Sequence, residues 1–514
     1  MALKSYAPRA AKPGAKRRSP RTRDILTAAR KYFDFDELRP GQEKAICSLL
    51  ARKDTLVVMP TGAGKSAIYQ VGGAIRRGPV LIISPLIALQ KDQVDWIEAS
   101  KSGFKAGLIN STLAAGELRD ALDMVGSGRL KFIFMAPEQV DKQEVLDALG
   151  QAKLSIIVID EAHCISQWGH DFRPDYLQLG RIIEALGHPV ILALTATASA
   201  AVRQEIIERL GMRKPCVLVS SFDRPNVRLR VDHFAGQHDK RAAITHQICW
   251  ADKPGIVYTA TRREAEEIMH DLEEEEIPAL FYHGGLKGSE RDEIQDRFMA
   301  GGAEVIVATN AFGMGIDKSD IRFVYHYDAP DSLDGYYQEI GRAGRDGERA
   351  EAVLFYRKQD IGAQAFHTAA GKVDERELEQ VTGALAENRR HMHAEEIAET
   401  VGLSERKLQS ILQQLEDAGT VTTSPKGEVK LEKSANLEKA AEMVAENQHE
   451  RRRVNRERLE RMREYAETSG CRRELLLRYF GEEFEGPCGN CDNCEARDPQ
   501  GAIGPNLGTR REVA

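Results

Sequence analysis

Short, almost wholly apolar runs alternate with amphipathic stretches over the first two thirds of the chain. Thr55–Met59, Val80–Ser84, Lys131–Met135, Ile156–Ile159 and Val190–Leu194 are such runs between about Asp24 and Pro215. The pattern restarts near Cys216, with Gly255–Thr259, Ala279–Tyr282, Glu304–Ala308, Arg322–Tyr327 and Ala352–Tyr356, and fades near Ala370. Continuous apolar runs suit parallel strands covered on both faces, whereas strict alternation marks a sheet with one wet face. The pattern predicts an α/β fold of two tandem doubly wound parallel-sheet lobes, residues 24–215 and 216–370.

After about Gly371 the chain changes character. Residues 375–418 carry a helical, richly charged pattern interrupted at Gly402-Leu403-Ser404, with Ser404 a good N-cap. Two β-like pieces follow at Val421–Thr423 and Val429–Leu431, with Lys426-Gly427 as the turn. Helices followed by a hairpin outline a winged-helix-like domain over 371–435; a helical spacer is the alternative. Residues 436–495 form a helical segment carrying Arg451, Arg452, Arg453, Arg456, Arg458, Arg461 and Arg463. Residues 1–23 and 496–514 read as tails.

Composition narrows the classes. The chain has 514 residues, 42% hydrophobic and 29% charged, which excludes a disordered chain and a disulfide miniprotein. Its formal charge is −7, but residues 1–23 hold eight Lys and Arg and no acid. That stretch is expected to be a disordered basic tail, solvated or a phosphate-binding arm. No apolar run approaches a membrane span and no secretory signal is recognisable, so no membrane partner is expected.

Two segments carry phosphate chemistry. Met59-Pro60-Thr61-Gly62-Ala63-Gly64-Lys65-Ser66 follows a strand and opens a helix. Its glycines let backbone N–H groups face phosphate oxygens at a helix N-terminus. Lys65 is placed to neutralise the β/γ-phosphates and Ser66 to hold Mg²⁺. Met59 stands where the strict motif has glycine. Asp160 and Glu161 end the apolar run Ile156–Ile159, at the strand end where such sheets bind ligands. Asp160 suits Mg²⁺, and Glu161 suits activation of the attacking water.

Cys471, Cys488, Cys491 and Cys494 supply four soft ligands with two tight C-x-x-C turns, the composition of a closed structural Zn²⁺ site. Redox or free thiols are the alternative. Cys47, Cys164, Cys216 and Cys249 are scattered and read as small core residues.

Taken together, these motifs resemble superfamily 2 helicases, and further stretches narrow the resemblance to the RecQ DNA helicase family. They are Leu38-Arg39-Pro40-Gly41-Gln42, Ser84-Pro85-Leu86, Thr195-Ala196-Thr197 and the stretch Ser166–Pro174 in the first lobe. In the second they are Tyr282-His283-Gly284-Gly285-Leu286, Ala308–Lys318 and Tyr337–Gly347. Cys471-Arg472-Arg473 and Tyr479–Glu482 resemble the family's zinc segment. The likeness covers about Phe35 to Tyr356 and resumes at about Tyr465–Cys494.

The resemblance implies two RecA-like lobes and roles for individual residues. Gln42 would read the adenine edge, with Arg39 and Phe35 sandwiching the base. Gln338, Arg342 and Arg345 would reach the nucleotide from the second lobe, a guanidinium stabilising charge at the γ-phosphate; surface salt bridging is the plainer reading of either arginine. Trp168, Phe172 and Arg173, just after the acids, suit base stacking with phosphate contact, and in the family this aromatic-rich loop couples DNA binding to hydrolysis. Core packing is the alternative for Phe35 and Trp168. Asn310, Thr259 and Ser84 are candidates for backbone phosphates, or caps.

The resemblance therefore implies an ATP-dependent DNA helicase moving 3′ to 5′, using ATP, Mg²⁺ and Zn²⁺ in DNA recombination and repair. Expected partners are single-stranded and partially duplex DNA, with a single-strand-binding protein as a further one. The expected state is a monomer in the cytoplasm, at the nucleoid if bacterial. A junction-remodelling translocase and an RNA helicase are the alternatives. The order of parts departs from the family, in which the winged helix follows the zinc segment.

Overall fold

A computed structural model describes residues 22–140, 142–166, 173–313, 316, 318–362, 375–387, 392–417, 420–423, 428–431 and 437–497. Trp168 and Phe172, the basic stretch up to residue 21 and the turn Lys426-Gly427 lie outside them.

Seven strands build the first sheet: β1 (Thr55–Val58), β2 (Val80–Ile83), β3 (Ala106–Ile109), β4 (Phe132–Met135), β5 (Ile156–Ile159), β6 (Val190–Thr195) and β7 (Cys216–Val219). All are parallel, in the order β3-β4-β2-β5-β6-β1-β7. In β1, β2, β4, β5 and β6 every residue is buried, because helices cover both faces.

The second sheet is also parallel, with order β10-β11-β9-β12-β13-β8. Its strands are β8 (Val227–His233), β9 (Gly255–Tyr258), β10 (Ala279–Tyr282), β11 (Val305–Ala308), β12 (Phe323–His326) and β13 (Ala350–Tyr356). In both sheets the central strands coincide with the apolar runs of the sequence.

The structure corrects the boundary between the lobes. β7 pairs in register with β1, so Cys216–Val219 closes the first sheet instead of opening the second lobe. It is an edge strand, and Val217 and Val219 stay 42% and 45% exposed. Cysteine burial is also less uniform than expected. Cys164 is buried, while Cys47, Cys216 and Cys249 are half-buried at the margins of the packing.

Residues 375–431 pack three helices, Glu375–Glu387, Ala394–Val401 and Glu405–Asp417, against a small antiparallel sheet. Its strands are β14 (Met392–His393), β15 (Val421–Thr423) and β16 (Glu428–Leu431), in the order β14-β16-β15. Leu378, Val381, Leu408, Ile411, Leu415 and Val429 form their own core. This is the winged-helix arrangement, and the sheet excludes a plain helical spacer.

A 31-residue helix, Leu437–Glu467, then leads to the cysteine segment. That segment covers the open edge of the second sheet. Leu229 of β8 bridges to Cys491, its N–H reaching Asn490 O at 3.3 Å, and Val231 N–H donates to Asp492 Oδ2 at 3.0 Å. An unpaired edge strand is thereby satisfied. Among the described residues, no helix is long and apolar enough to cross a membrane.

Candidate active site and zinc centre

The loop between β1 and the helix Lys65–Ile75 holds Thr61, Gly62, Ala63 and Gly64. Gly62 and Gly64 have φ of +79° and +76°, a region that side chains disfavour. A Cβ on Gly64 would lie 2.7 Å from the Gln42 amide nitrogen, so the close approach also requires glycine. Lys65 folds back into its own loop, its Nζ donating to Met59 O at 3.1 Å. Burial lowers its pKa; Glu161 and Asp160 oppose that shift, and Arg345 adds to it.

Asp160 and Glu161 follow β5 and face this lysine. Burial first, and Glu161 next, push the Asp160 carboxyl up to about 6, against the opposing pull of Lys65. Ser84 Oγ donates to Asp160 Oδ2 at 3.2 Å, which ties this hydroxyl to the acid. Thr259 is likewise buried, its hydroxyl donating to Thr261 O at 3.0 Å, while Asn310 stands exposed.

The structure adds residues to which the sequence reading gave no role. Tyr176 Oη donates to Asp160 O at 3.0 Å. His163 Nδ1 lies 2.9 Å from Thr195 Oγ1 and 3.3 Å from Glu161 Oε2. Burial opposes the charged imidazole, but Cys164 and Glu161 outweigh it and hold its pKa well above the usual value. Thr195 Oγ1 in turn donates to Thr197 O at 2.9 Å. The acid at the end of β5 is thus wired to the turn after β6. The Asp-Glu-Ala-His and Thr-Ala-Thr stretches are both visible in the sequence; their contact is a property of strand order.

Gln42 is buried and clamps the phosphate loop. Its Oε1 accepts Arg39 N–H at 2.8 Å, and its Nε2 donates to Ala63 O at 3.1 Å and Gly64 O at 2.8 Å. The Arg39 guanidinium donates to Gly62 O. Phe35 is half-buried, its ring stacked on Trp96 at 5.7 Å and on Phe33 at 5.9 Å.

The second lobe reaches this loop through Arg345. A Cβ on Gly62 would lie 3.3 Å from Arg345 Cδ, and Arg345 Nη1 donates to Ile316 O at 2.7 Å. Arg342 takes a different place. It is 4% exposed and sits near Tyr258 and Gly313 within the second lobe. Gln338 is half-buried on the helix Leu333–Ile340. The structure therefore gathers Lys65, Asp160, Glu161 and Arg345, and leaves Arg342 in the wall behind. Arg173 lies past the acids, its N–H donating to Cys164 O at 2.9 Å.

The four cysteines of the C-terminal segment converge. All sulfurs of Cys471, Cys488, Cys491 and Cys494 lie within 4.8 Å of one another, Cys488 and Cys494 at 3.9 Å. Four thiolates at about 2.3 Å from a tetrahedral Zn²⁺ fit this cluster. The segment also holds the chain linking the lobes. Glu482 accepts Ser221 Oγ–H and Phe222 N–H, both at 2.6 Å. Arg473 donates to Asp223 at 2.6 Å and to Val227 O at 2.7 Å. Phe480 stacks on Phe222 at 4.5 Å.

Comparison with known proteins agrees with this geometry. Residues 39–206 match the DEAD/DEAH box helicase family, 240–347 the helicase conserved C-terminal domain, and 434–495 the RecQ zinc-binding family. The chain is 37% identical over 472 residues to "ATP-dependent DNA helicase RecQ" of Pasteurella multocida, covering 92% of this chain and 62% of that protein. It is 36% identical over 470 residues to "Probable ATP-dependent DNA helicase RecS" of Bacillus subtilis, covering 90% of each. The chain spans 62–65% of the length of three RecQ relatives.

Among solved structures, its fold is similar to that of the DUF1998 helicase MrfA bound to DNA and AMPPNP. The TM-score is 0.55 at 19% identity, covering 82% of this chain and 63% of that one. The Mycobacterium smegmatis helicase Lhr, bound to ssDNA and AMP-PNP, gives 0.52 at 20% identity, covering 82% and 61%. These last two likenesses are of fold. Two parallel-sheet lobes, a phosphate loop facing an acid pair, a four-cysteine cluster and the extent of the sequence match lead to one conclusion: the chain belongs to the RecQ family of superfamily 2 helicases.

Proposed function

We propose that the protein is an ATP-dependent DNA helicase that couples hydrolysis to 3′-to-5′ translocation on single-stranded DNA and to duplex unwinding. The observation that carries this is the placement of Arg345, from the second lobe, over Gly62 of the first lobe's phosphate loop. A site completed across a cleft hydrolyses ATP only when the lobes close, and lobe closure is the motion that moves a strand.

In this reading Gln42, Arg39 and Phe35 hold the adenine, with the Gln42 amide exchanging its loop carbonyls for the base edge. Thr61, Gly62, Ala63 and Gly64 offer backbone N–H groups to the phosphates, and Lys65 leaves Met59 O for the β/γ-phosphates. Ser66 and Asp160 offer hard oxygens that fit Mg²⁺, which would neutralise phosphate charge when bound. Glu161 takes a proton from the water that attacks the γ-phosphorus as the bond to the β-phosphate oxygen breaks. Arg345 stabilises the charge that accumulates on the transferred group. Gln338 and Arg342 support it from the second lobe, Arg342 by fixing the wall behind Arg345.

Trp168, Phe172 and Arg173, a few residues past Glu161 in the chain, bind the single strand and report its presence to the acids. Trp168→Ala should keep basal hydrolysis and lose most stimulation by DNA; full stimulation in that variant contradicts the assignment. We place its work in DNA recombination and repair, as a monomer at the nucleoid and alongside a single-strand-binding protein, on the resemblance to the RecQ family alone. ATP hydrolysis and strand displacement on 3′-tailed, 5′-tailed and blunt DNA test the proposal.

A further inference from the structure

The motor reading leaves one strongly charged surface unused. Residues 451–458 read Arg-Arg-Arg-Val-Asn-Arg-Glu-Arg, five cations against one acid in a chain of net charge −7. They lie on the helix Leu437–Glu467, whose Val454, Leu459, Met462, Tyr465 and Ala466 are buried. Arg452 and Arg456 are exposed and one helical turn apart, with exposed His449 a turn earlier along the same stripe.

Their neighbours are neutralised locally. Arg453 pairs with Glu457 at 3.0 Å, Arg461 with Glu464 at 2.9 Å, and Arg463 with Glu467 at 3.4 Å. Among the described residues, neither Arg452 nor Arg456 has a carboxylate within ion-pair distance. The helix is also firmly mounted. Arg472 Nη1 donates to Tyr465 O at 2.7 Å, Tyr356 Oη donates to Glu467 at 2.9 Å, and Tyr465 meets Tyr336 through their hydroxyls at 3.2 Å. It also packs against helices Glu375–Glu387 and Glu405–Asp417 of the winged-helix domain.

We propose that Arg452 and Arg456, with His449, form a docking rail for the phosphate backbone of duplex DNA, between the winged-helix domain and the zinc centre. The proposal rests on the DNA-motor reading and adds a second contact to it. Charge complementarity names an anionic partner, and the residue types name the duplex. Surfaces that track single strands interleave cations with stacking aromatics. The helix has no Phe, Tyr or Trp before Tyr465, which is buried. Cations one turn apart, about 6 Å along the axis, contact successive phosphates without reading bases.

The test uses the full chain without nucleotide. Anisotropy titrations compare a 3′-tailed duplex with the isolated tail strand over a range of NaCl concentrations. Losing two phosphate contacts in the R452Q/R456Q variant should lower the slope of log K against log salt by about 1.8 on the tailed duplex. The slope on the tail strand, the zinc content, the circular dichroism and the DNA-free ATPase should stay unchanged. R453Q, already tied to Glu457, should move the slope less. An unchanged slope on the tailed duplex overturns the proposal, as does an equal fall on the tail strand. Either result beside normal strand displacement by the wild type removes the rail and leaves the motor. A wild type lacking DNA-stimulated ATPase removes the motor, while the slopes still test the rail.

Discussion

The carboxylate of Glu482 accepts the backbone N–H of Phe222 at 2.6 Å, tying the zinc segment to the chain that joins the two lobes. Its other oxygen takes the Ser221 hydroxyl, also at 2.6 Å. Hydrogen bonds to a charged group of this kind are worth about 1.5–3 kcal/mol each. The zinc segment therefore acts as a brace on the hinge as well as a fold element. Glu482→Ala should keep its zinc and lower the DNA-stimulated kcat several-fold, whereas Glu482→Gln, which keeps an acceptor for Phe222, should retain most of it. Steady-state kinetics with metal analysis check this; a normal kcat in Glu482→Ala contradicts it.

Metal removal follows from the same geometry. With the four sulfurs of Cys471, Cys488, Cys491 and Cys494 within 4.8 Å of one another, zinc is what holds four thiolates together. Stripping it with a chelator should lower the melting temperature and loosen the cover over β8. Hydrogen exchange at Leu229 and Val231, whose N–H groups bond to that cover, should rise by more than at buried Val257.

Arg345 supplies the second lobe's charge to the phosphate loop. Its removal by Arg345→Ala should cost kcat about 10³-fold, the lower end for such an arginine, with a smaller change in the KM for ATP. Arg342→Ala should instead lower stability, because its guanidinium is buried against Tyr258. A melting curve and a rate profile for each variant separate the two roles.

The Asp160 carboxyl, raised to about 6 mainly by burial, gives a pH dependence with a definite sign. A raised acid costs folding stability once ionised, so the cost is absent below the unfolded value near 3.9 and full above about 6. Asp160→Asn should therefore melt higher than wild type at pH 7–8, with the gap closing toward pH 4. In the wild type, the Mg²⁺ concentration needed for half-maximal hydrolysis should rise as pH falls through about 6. A requirement flat from pH 8 to 5.5 contradicts the placement of Mg²⁺ on Asp160.

In the proposed site Gln42 chooses the base. A bidentate amide contact to adenine is worth about 1–3 kcal/mol of discrimination. Gln42→Ala should lower the preference for ATP over GTP, measured as a ratio of kcat/KM, by roughly 5- to 150-fold. Part of any loss of rate will come from the loop, since Gln42 also holds Ala63 and Gly64.

The central strands were legible because a helix-covered parallel strand must be apolar at every position. β8 was not, because Arg228, Arg230 and Asp232 alternate with its apolar residues and mimic a loop; Arg228 meets the zinc segment, while Arg230 turns to Gln247 on the second lobe's own helix. Arg228 grips Glu495 of the zinc segment at 2.9 and 2.6 Å. β7 is apolar, but its pairing with β1 is a long-range choice that no local pattern encodes. At the site, the loop and acid motifs carry their chemistry in their own residues. Contacts such as His163 with Thr195, Ser84 with Asp160 and Glu482 with Phe222 depend on strand order and docking. Their residue types alone do not announce them.

The central claim is that closure of the two lobes on ATP drives one strand off another. Strand displacement on matched partial duplexes with a 3′ tail, a 5′ tail or no tail, in ATP and Mg²⁺, tests it most directly. Release from the 3′-tailed DNA alone, abolished by Lys65→Ala, is the predicted result. ATP hydrolysis without release from any substrate, or release that persists in Lys65→Ala, would contradict it.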